Sequence, residues 1–182
     1  MADKPKVAFY WCASCGGCEE TVVDLDEKVL DVVAAVDIVF WPCAMDPKYS
    51  DVEAMPDGSI AVAFINGAIR TSEQEHIAKL LRRKAATVVA FGSCACMGGI
   101  PALANLKSRG AIFERSYLDS PTVVNPAGTV PVTASTLDGH AMTLPDFYDT
   151  VYTLSDVIAV DYFLPGCPPT AKVLAGAVQA IL

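Results

Sequence analysis

Short runs rich in β-branched and aromatic residues recur along the chain, and most are followed by a stretch with helical periodicity. Residues 6–11 (KVAFYW), 37–41 (DIVFW), 59–65 (SIAVAFI), 87–91 (TVVAF) and 157–163 (VIAVDYF) read as strands. After the first, Val22, Leu25, Val29, Val32, Val33 and Val36 recur at helical spacing, with Asp24, Glu27, Lys28 and Asp31 on the other face. Ser72 followed by Glu75 forms a capping-box signature for a helix with Ile77, Leu80 and Leu81 inward and Lys79, Arg82 and Arg83 outward. Pro168 and Pro169 can start a last helix whose Val173, Leu174, Ala177, Val178 and Ile181 share a stripe. Alternating strands and helices predict an α/β fold: a doubly wound, mostly parallel sheet, with five strands in the flavodoxin-like order. Residues 120–152, rich in Pro, Thr and Asp with weak periodicity, predict an irregular, loop-rich insertion before the last strand. The expectation is one domain over residues 1–182.

Composition narrows the partners. Apolar residues make up 53 % of the chain and charged residues 19 %, which predicts apolar surface covered by another protein. With a net charge of −8 and 13 Lys plus Arg, no basic stretch lines a phosphate backbone, so nucleic acid is excluded as a partner. No apolar segment ending in a cleavage site opens the chain, and no run approaches the ~18 apolar residues of a membrane span. A cytoplasmic location is therefore expected, where cysteines serve as ligands or catalysts. The seven cysteines cannot all pair as disulfides.

Their placement carries the chemistry. Cys12, Cys15 and Cys18 follow the first strand in "CASCGGC". Cys94 lies in "GSCACMGG" beyond the fourth strand, and Cys167 in "PGCPP" beyond the fifth. In an open parallel sheet the strand ends share one edge, where ligands bind, so distant segments deliver thiols to one crevice. The adjoining glycines let backbone amides approach sulfur closely. A bacterial ferredoxin pattern fails because its fourth cysteine is missing at that spacing, Thr21 and Val22 following Glu20 instead. A thioredoxin-like pair leaves Cys94 and Cys167 without a role. A flavin module needs a phosphate loop of Ser and Thr after the first strand, where this chain has cysteines. Cys43 and Cys96 read as small buried apolar side chains, and Cys12 stands between a structural role and one beside the site. His76 and His140 read as surface residues, and the Met and aromatic side chains as mostly core. Glu20 fits a helix-start carboxylate.

Taken together, "CGGCEET", "INGAI", "GSCACMGGIPAL" and "PGCPP" resemble the small subunit of nickel–iron hydrogenases over essentially the whole chain, closest to the cytoplasmic NAD-reducing or methyl-viologen-reducing type. That resemblance implies one proximal 4Fe–4S cluster held by Cys15, Cys18, Cys94 and Cys167, and places Glu20 near a large-subunit interface. It implies an electron-transfer subunit of a hydrogenase with no catalytic residue of its own. The implied partners are a large subunit holding the nickel–iron centre and an iron–sulfur or flavin reductase subunit. Two alternatives use the same thiols. One is the related small subunit of complex I or of energy-converting hydrogenases, although the complex I form has adjacent cysteines where Cys15 and Cys18 are separated. The other is a four-cysteine zinc protein. Many members of the family continue into a region with cysteines for further clusters. Here Cys12, Cys43 and Cys96 are left over and dispersed, so a single cluster is expected, unless the chain is a truncated piece of a longer subunit.

Overall fold

The computed structural model describes residues 4–181, and the side chain of Ile181 lies outside the described set. Strand β1 (Lys6–Trp11) leads into helix α1 (Gly17–Val23), and α2 (Lys28–Ala35) into β2 (Asp37–Phe40). Helix α3 (Tyr49–Ala54), β3 (Ile60–Asn66), β4 (Ile69–Thr71), α4 (Ser72–Lys84), β5 (Ala85–Phe91) and α5 (Gly92–Met97) follow. After α6 (Arg109–Phe113) come β6 (Ala134–Leu137), β7 (His140–Thr143), β8 (Phe147–Tyr152), β9 (Tyr162–Leu164) and α7 (Ala171–Ile181).

Five strands form one sheet in the order β2-β1-β3-β5-β9, all parallel. This is the flavodoxin-like order that the sequence predicts. Alternating side chains of β1 enter opposite layers. Ala8 and Tyr10 pack with Ile60, Ile65, Ile77 and Leu80, whereas Val7 and Phe9 pack with Val22, Trp41, Phe64 and Leu174. Phe9 lies 4.9 Å from Trp41 and 5.3 Å from Phe64, ring centre to ring centre. Full burial of each such ring contributes about 2 kcal/mol. Burial on both faces is why the inner strands read as unbroken apolar runs.

Several expectations shift on contact with the structure. The helix read across residues 22–36 is two helices. Asp26 adopts a left-handed φ of 53°, which Asp tolerates, and Leu25 and Lys28 close short turns onto Val22 and Leu25. No residue of α2 is buried, and Val33 is exposed. The cap of α4 is Thr71, one residue earlier than predicted. Its hydroxyl accepts from Gln74 N at 3.3 Å, while Gln74 Oε1 accepts from Thr71 N at 3.1 Å. The Ser72 hydroxyl is taken by Asp146 N at 2.9 Å, because β4 pairs antiparallel with β8. In α7, Leu174 is buried while Val173 faces outward. The insertion supplies the β6–β7 hairpin and the strand β8 that pairs with β4.

The fifth strand begins later than residue 157. A turn capped by Thr153 and Asp156 occupies residues 154–156, and the chain reaches β5 only at Asp161. There Asp161 accepts from Arg82 Nη1 at 2.6 Å and from Val88 N at 2.7 Å, while Arg82 also donates to the carbonyls of Ala85 and Ala86. This latch sets where β9 starts, and so where Cys167 ends up. The Arg82 guanidinium and the Val88 amide hold the Asp161 carboxyl below the ordinary carboxylate range. A lowered folded-state value means stability that is present above about pH 4 and lost as the carboxylate protonates below it. Because the pair is partly exposed, Asp161→Asn is expected to cost about 1 kcal/mol at pH 7. In denaturant titrations that cost should shrink toward zero at pH 3; a cost independent of pH would mean the carboxylate charge is not what the latch uses.

Candidate functional site

The C-terminal ends of β1, β5 and β9 open onto one edge of the sheet, and each continues directly into a cysteine segment. Cys18 lies in the first turn of α1 and Cys94 within α5, both buried, while Cys15 and Cys167 are exposed on the flanking loops. The "GSCACM" stretch forms a short helix. Two hydrogen bonds clip it to the third segment: Ser93 N donates to Gly166 O at 2.7 Å, and Gly166 N to Ser93 Oγ at 3.2 Å.

The two buried thiols feel their neighbours. Burial pushes the Cys18 thiol up to about 12, and Cys94, Cys15, Cys167 and Glu19 add to the shift. Burial also pushes Cys94 up, with Cys167 and Cys15 contributing and a hydrogen bond to the Ile100 backbone opposing. Every ionisable neighbour that moves these two thiols is another thiol or a carboxyl; none is a cation. At neutral pH both are protonated, the reverse of the low-pKa thiolate that a redox-active C-x-x-C pair requires.

The space between the segments is kept free of side chains. Gly92 has a φ of 84°, and a Cβ there would run into Cys18 Sγ. A Cβ on Gly99 would lie 2.8 Å from Cys94 Sγ. Among the described residues, no group of three or more His, Cys, Asp or Glu side chains is arranged to hold a metal ion. Gly92 and Gly99 thus let the backbone of the second segment pack directly against the sulfurs of Cys18 and Cys94.

The remaining cysteines go elsewhere. Cys12 is buried in the layer that holds Tyr10 and Ile77, not the one that holds Cys18, and burial beside Glu19 raises its pKa. Cys96 is half-buried with its thiol near Ala90 O at 3.4 Å. Cys43 is exposed, contrary to the expectation of a buried side chain, because it sits in the turn after β2. His76 and His140 are exposed, as is Glu20 in the first turn of α1.

Sequence reasoning overlooked Glu19, Trp41 and Asn66. The Glu19 carboxylate is buried, and its two oxygens accept from Trp41 Nε1 and Asn66 Nδ2. Burial raises its pKa, and those two hydrogen bonds oppose the shift. A polar Asn closing the apolar run of β3 was the available signal. The expectation that Met and aromatic residues are mostly core also fails here. Trp11 and Met97 are exposed in or next to the cysteine segments, and the apolar Ile100, Leu103 and Leu106 further along the chain are exposed as well, Leu106 at 80 %. Trp11 packs its ring on Gly16 and donates to Ser14 O.

The family model described as NADH ubiquinone oxidoreductase, 20 Kd subunit, matches residues 15–181. The chain belongs to this family. Relatives include the iron-sulfur subunit of the F420-non-reducing hydrogenase of Archaeoglobus profundus, 43 % identical and covering 97 % of this chain and 56 % of the relative. The delta subunit of the NAD-reducing hydrogenase HoxS of Cupriavidus necator is 28 % identical, covering 91 % of this chain and 73 % of the relative. A solved NAD+-reducing NiFe hydrogenase in the H2-reduced state superposes with a TM-score of 0.82 at 27 % identity, covering 97 % of this chain and 89 % of that one. The chain spans about half the length of the F420-non-reducing relatives, 56 % and 54 % for the first two. The resemblance carried by the four motifs thus agrees with the family to which the chain belongs. Among the described residues no helix is long and apolar enough to cross a membrane.

Exposure predicts the thiol chemistry of the metal-free chain. Cys15, Cys43 and Cys167 are expected to react rapidly with a maleimide, and the other four slowly. Gly92→Ala should add Cys18 to the fast set. Gly139→Ala, where a Cβ meets nothing, should cost about 1 kcal/mol and leave the count unchanged. Unchanged labelling in Gly92→Ala would show that this glycine does not govern access to Cys18.

Proposed function

We propose that this chain is the electron-transfer small subunit of a nickel–iron hydrogenase, and that Cys15, Cys18, Cys94 and Cys167 hold one 4Fe–4S cluster. The observation that carries the reading is the gathering of four thiols from three strand-end segments, with glycines against the two buried ones and no cation among the groups that shift them. Four thiolates gathered there without a counter-charge would repel one another, and bound iron supplies the missing positive charge. A zinc site would draw the four sulfurs within about 2.3 Å of a single ion; the relatives, one of them named an iron-sulfur subunit, favour the cluster. When bound, a 4Fe–4S cluster supplies one-electron redox chemistry between a nickel–iron site and a reductase subunit, at a potential set partly by hydrogen bonds to sulfur and by solvent exposure.

The residues of this chain hold the thiols, limit water at Cys18 and Cys94, and present a docking face. Exposed Trp11, Met97 and Ile100, in or just beyond the cysteine segments, continue along the chain into exposed Leu103 and Leu106 as an apolar rim. We assign that rim to the large subunit, which would bring its metals close to this site, with an obligate interface of roughly 2,000–5,000 Å². The names of the relatives support both assignments, as each is a hydrogenase subunit. The reductase partner and the cytoplasmic location belong to the same reading.

Replacing any of Cys15, Cys18, Cys94 or Cys167 by Ser in the assembled complex should remove most of its cluster iron from this chain, while Cys43→Ala and Cys96→Ala retain it. The anaerobically loaded chain is expected to hold about four irons and equal acid-labile sulfide. On its own it should show no hydrogen-dependent dye reduction. Zinc in place of iron, or iron lost from Cys96→Ala and kept in Cys94→Ser, would overturn the ligand assignment.

A further inference from the structure

Asn66 is completely buried at the end of β3, outside the cysteine segments, yet its side chain and its backbone carbonyl are engaged toward the first of them. Its Nδ2 donates to Tyr10 O at 3.2 Å and to Glu19 Oε1. Its Oδ1 accepts from Ser14 Oγ at 3.0 Å, and its backbone carbonyl accepts from Cys12 N at 2.8 Å. Ser14 immediately precedes Cys15, and Glu19 immediately follows Cys18. Ser14 Oγ also accepts from Gly16 N at 3.4 Å, and the second oxygen of Glu19 is held by Trp41 Nε1. One side chain therefore grips the C-x-x-C segment at both ends and ties it to the seam between β1 and β3.

We infer that Asn66 is a positioning residue that sets the separation and orientation of Cys15 and Cys18 through Ser14 and Glu19. A carboxamide is the side chain of this size that does both jobs, since one end offers two donors and the other accepts. Asp in its place keeps the acceptor for Ser14, loses both donors and sets a second carboxylate against Glu19. Ala frees both ends of the segment and leaves Glu19 Oε1 and the Tyr10 carbonyl without their partner in a buried site. The effect reaches the iron only through the two thiols, because Asn66 itself offers no ligand.

The inference rests on the ligand reading above and is tested on the loaded complex, with the Cys15→Ser complex alongside. Asn66→Ala and Asn66→Asp should change the electron paramagnetic resonance spectrum of the reduced cluster and release iron to a chelator about tenfold faster than wild type. Ser14→Ala, which removes one arm at a half-buried site, should shift the spectrum in the same sense by less. Because the stronger bond of Ser14 is to Asn66, the double variant should fall well short of the sum of the two single effects. Additive effects, or folded variants with wild-type spectra and iron retention, would overturn the positioning role. If Asn66→Ala fails to assemble, an unchanged spectrum in Ser14→Ala overturns it. Retention of iron by Cys15→Ser would instead sink the ligand reading.

Discussion

The ladder of parallel hydrogen bonds from β1 through β3 and β5 to β9 fixes where every thiol segment begins. Trp11 lies opposite Asn66, Asn66 opposite Phe91, and Phe91 opposite Leu164. Those four residues end their strands at one level, so the segments that follow leave the sheet side by side. The polar contacts beyond that line, from Ser93 to Gly166 and from Asn66 to Ser14 and Glu19, are short because the backbones are already aligned. A register slip of one residue in β9 would carry Cys167 about 3.3 Å along the strand and turn alternate side chains to the other face. The Arg82–Asp161 latch works against that slip.

Much of this was legible in the sequence, for identifiable reasons. The inner strands are buried on both faces and advertise themselves as apolar runs, and the three cysteine motifs fall where those runs stop. What the sequence concealed depends on contacts between distant segments. The cap at Thr71 follows from pairing of β4 with β8, about 75 residues away. The late start of β9 follows from Asp161 engaging Val88. Glu19 reads as one more acidic residue in "CEET" until its oxygens are seen against Trp41 and Asn66. Leu103 and Leu106 carry no sign that separates core from surface, and only the fold places them outside.

The electrostatics of the crevice oppose ionisation of its own thiols. Burial and like neighbours keep Cys18 and Cys94 protonated, and Glu19 lends no positive charge. On the proposed reading, binding of an iron–sulfur group there would release protons as thiolates form, so its affinity would rise with pH. Cys12 remains apart on the far layer of the sheet, where its thiol is an apolar filler beside Tyr10.

Of the four thiols proposed as ligands, Cys15 and Cys167 are open to solvent, whereas Cys18 and Cys94 are buried. Met97 and Ile100, exposed a few residues beyond Cys94, belong to the face proposed for the large subunit. On that reading a partner seated there would cover the neighbourhood of the exposed thiols, so the cluster would have to be in place before docking, and assembly of the complex would have a built-in order of events.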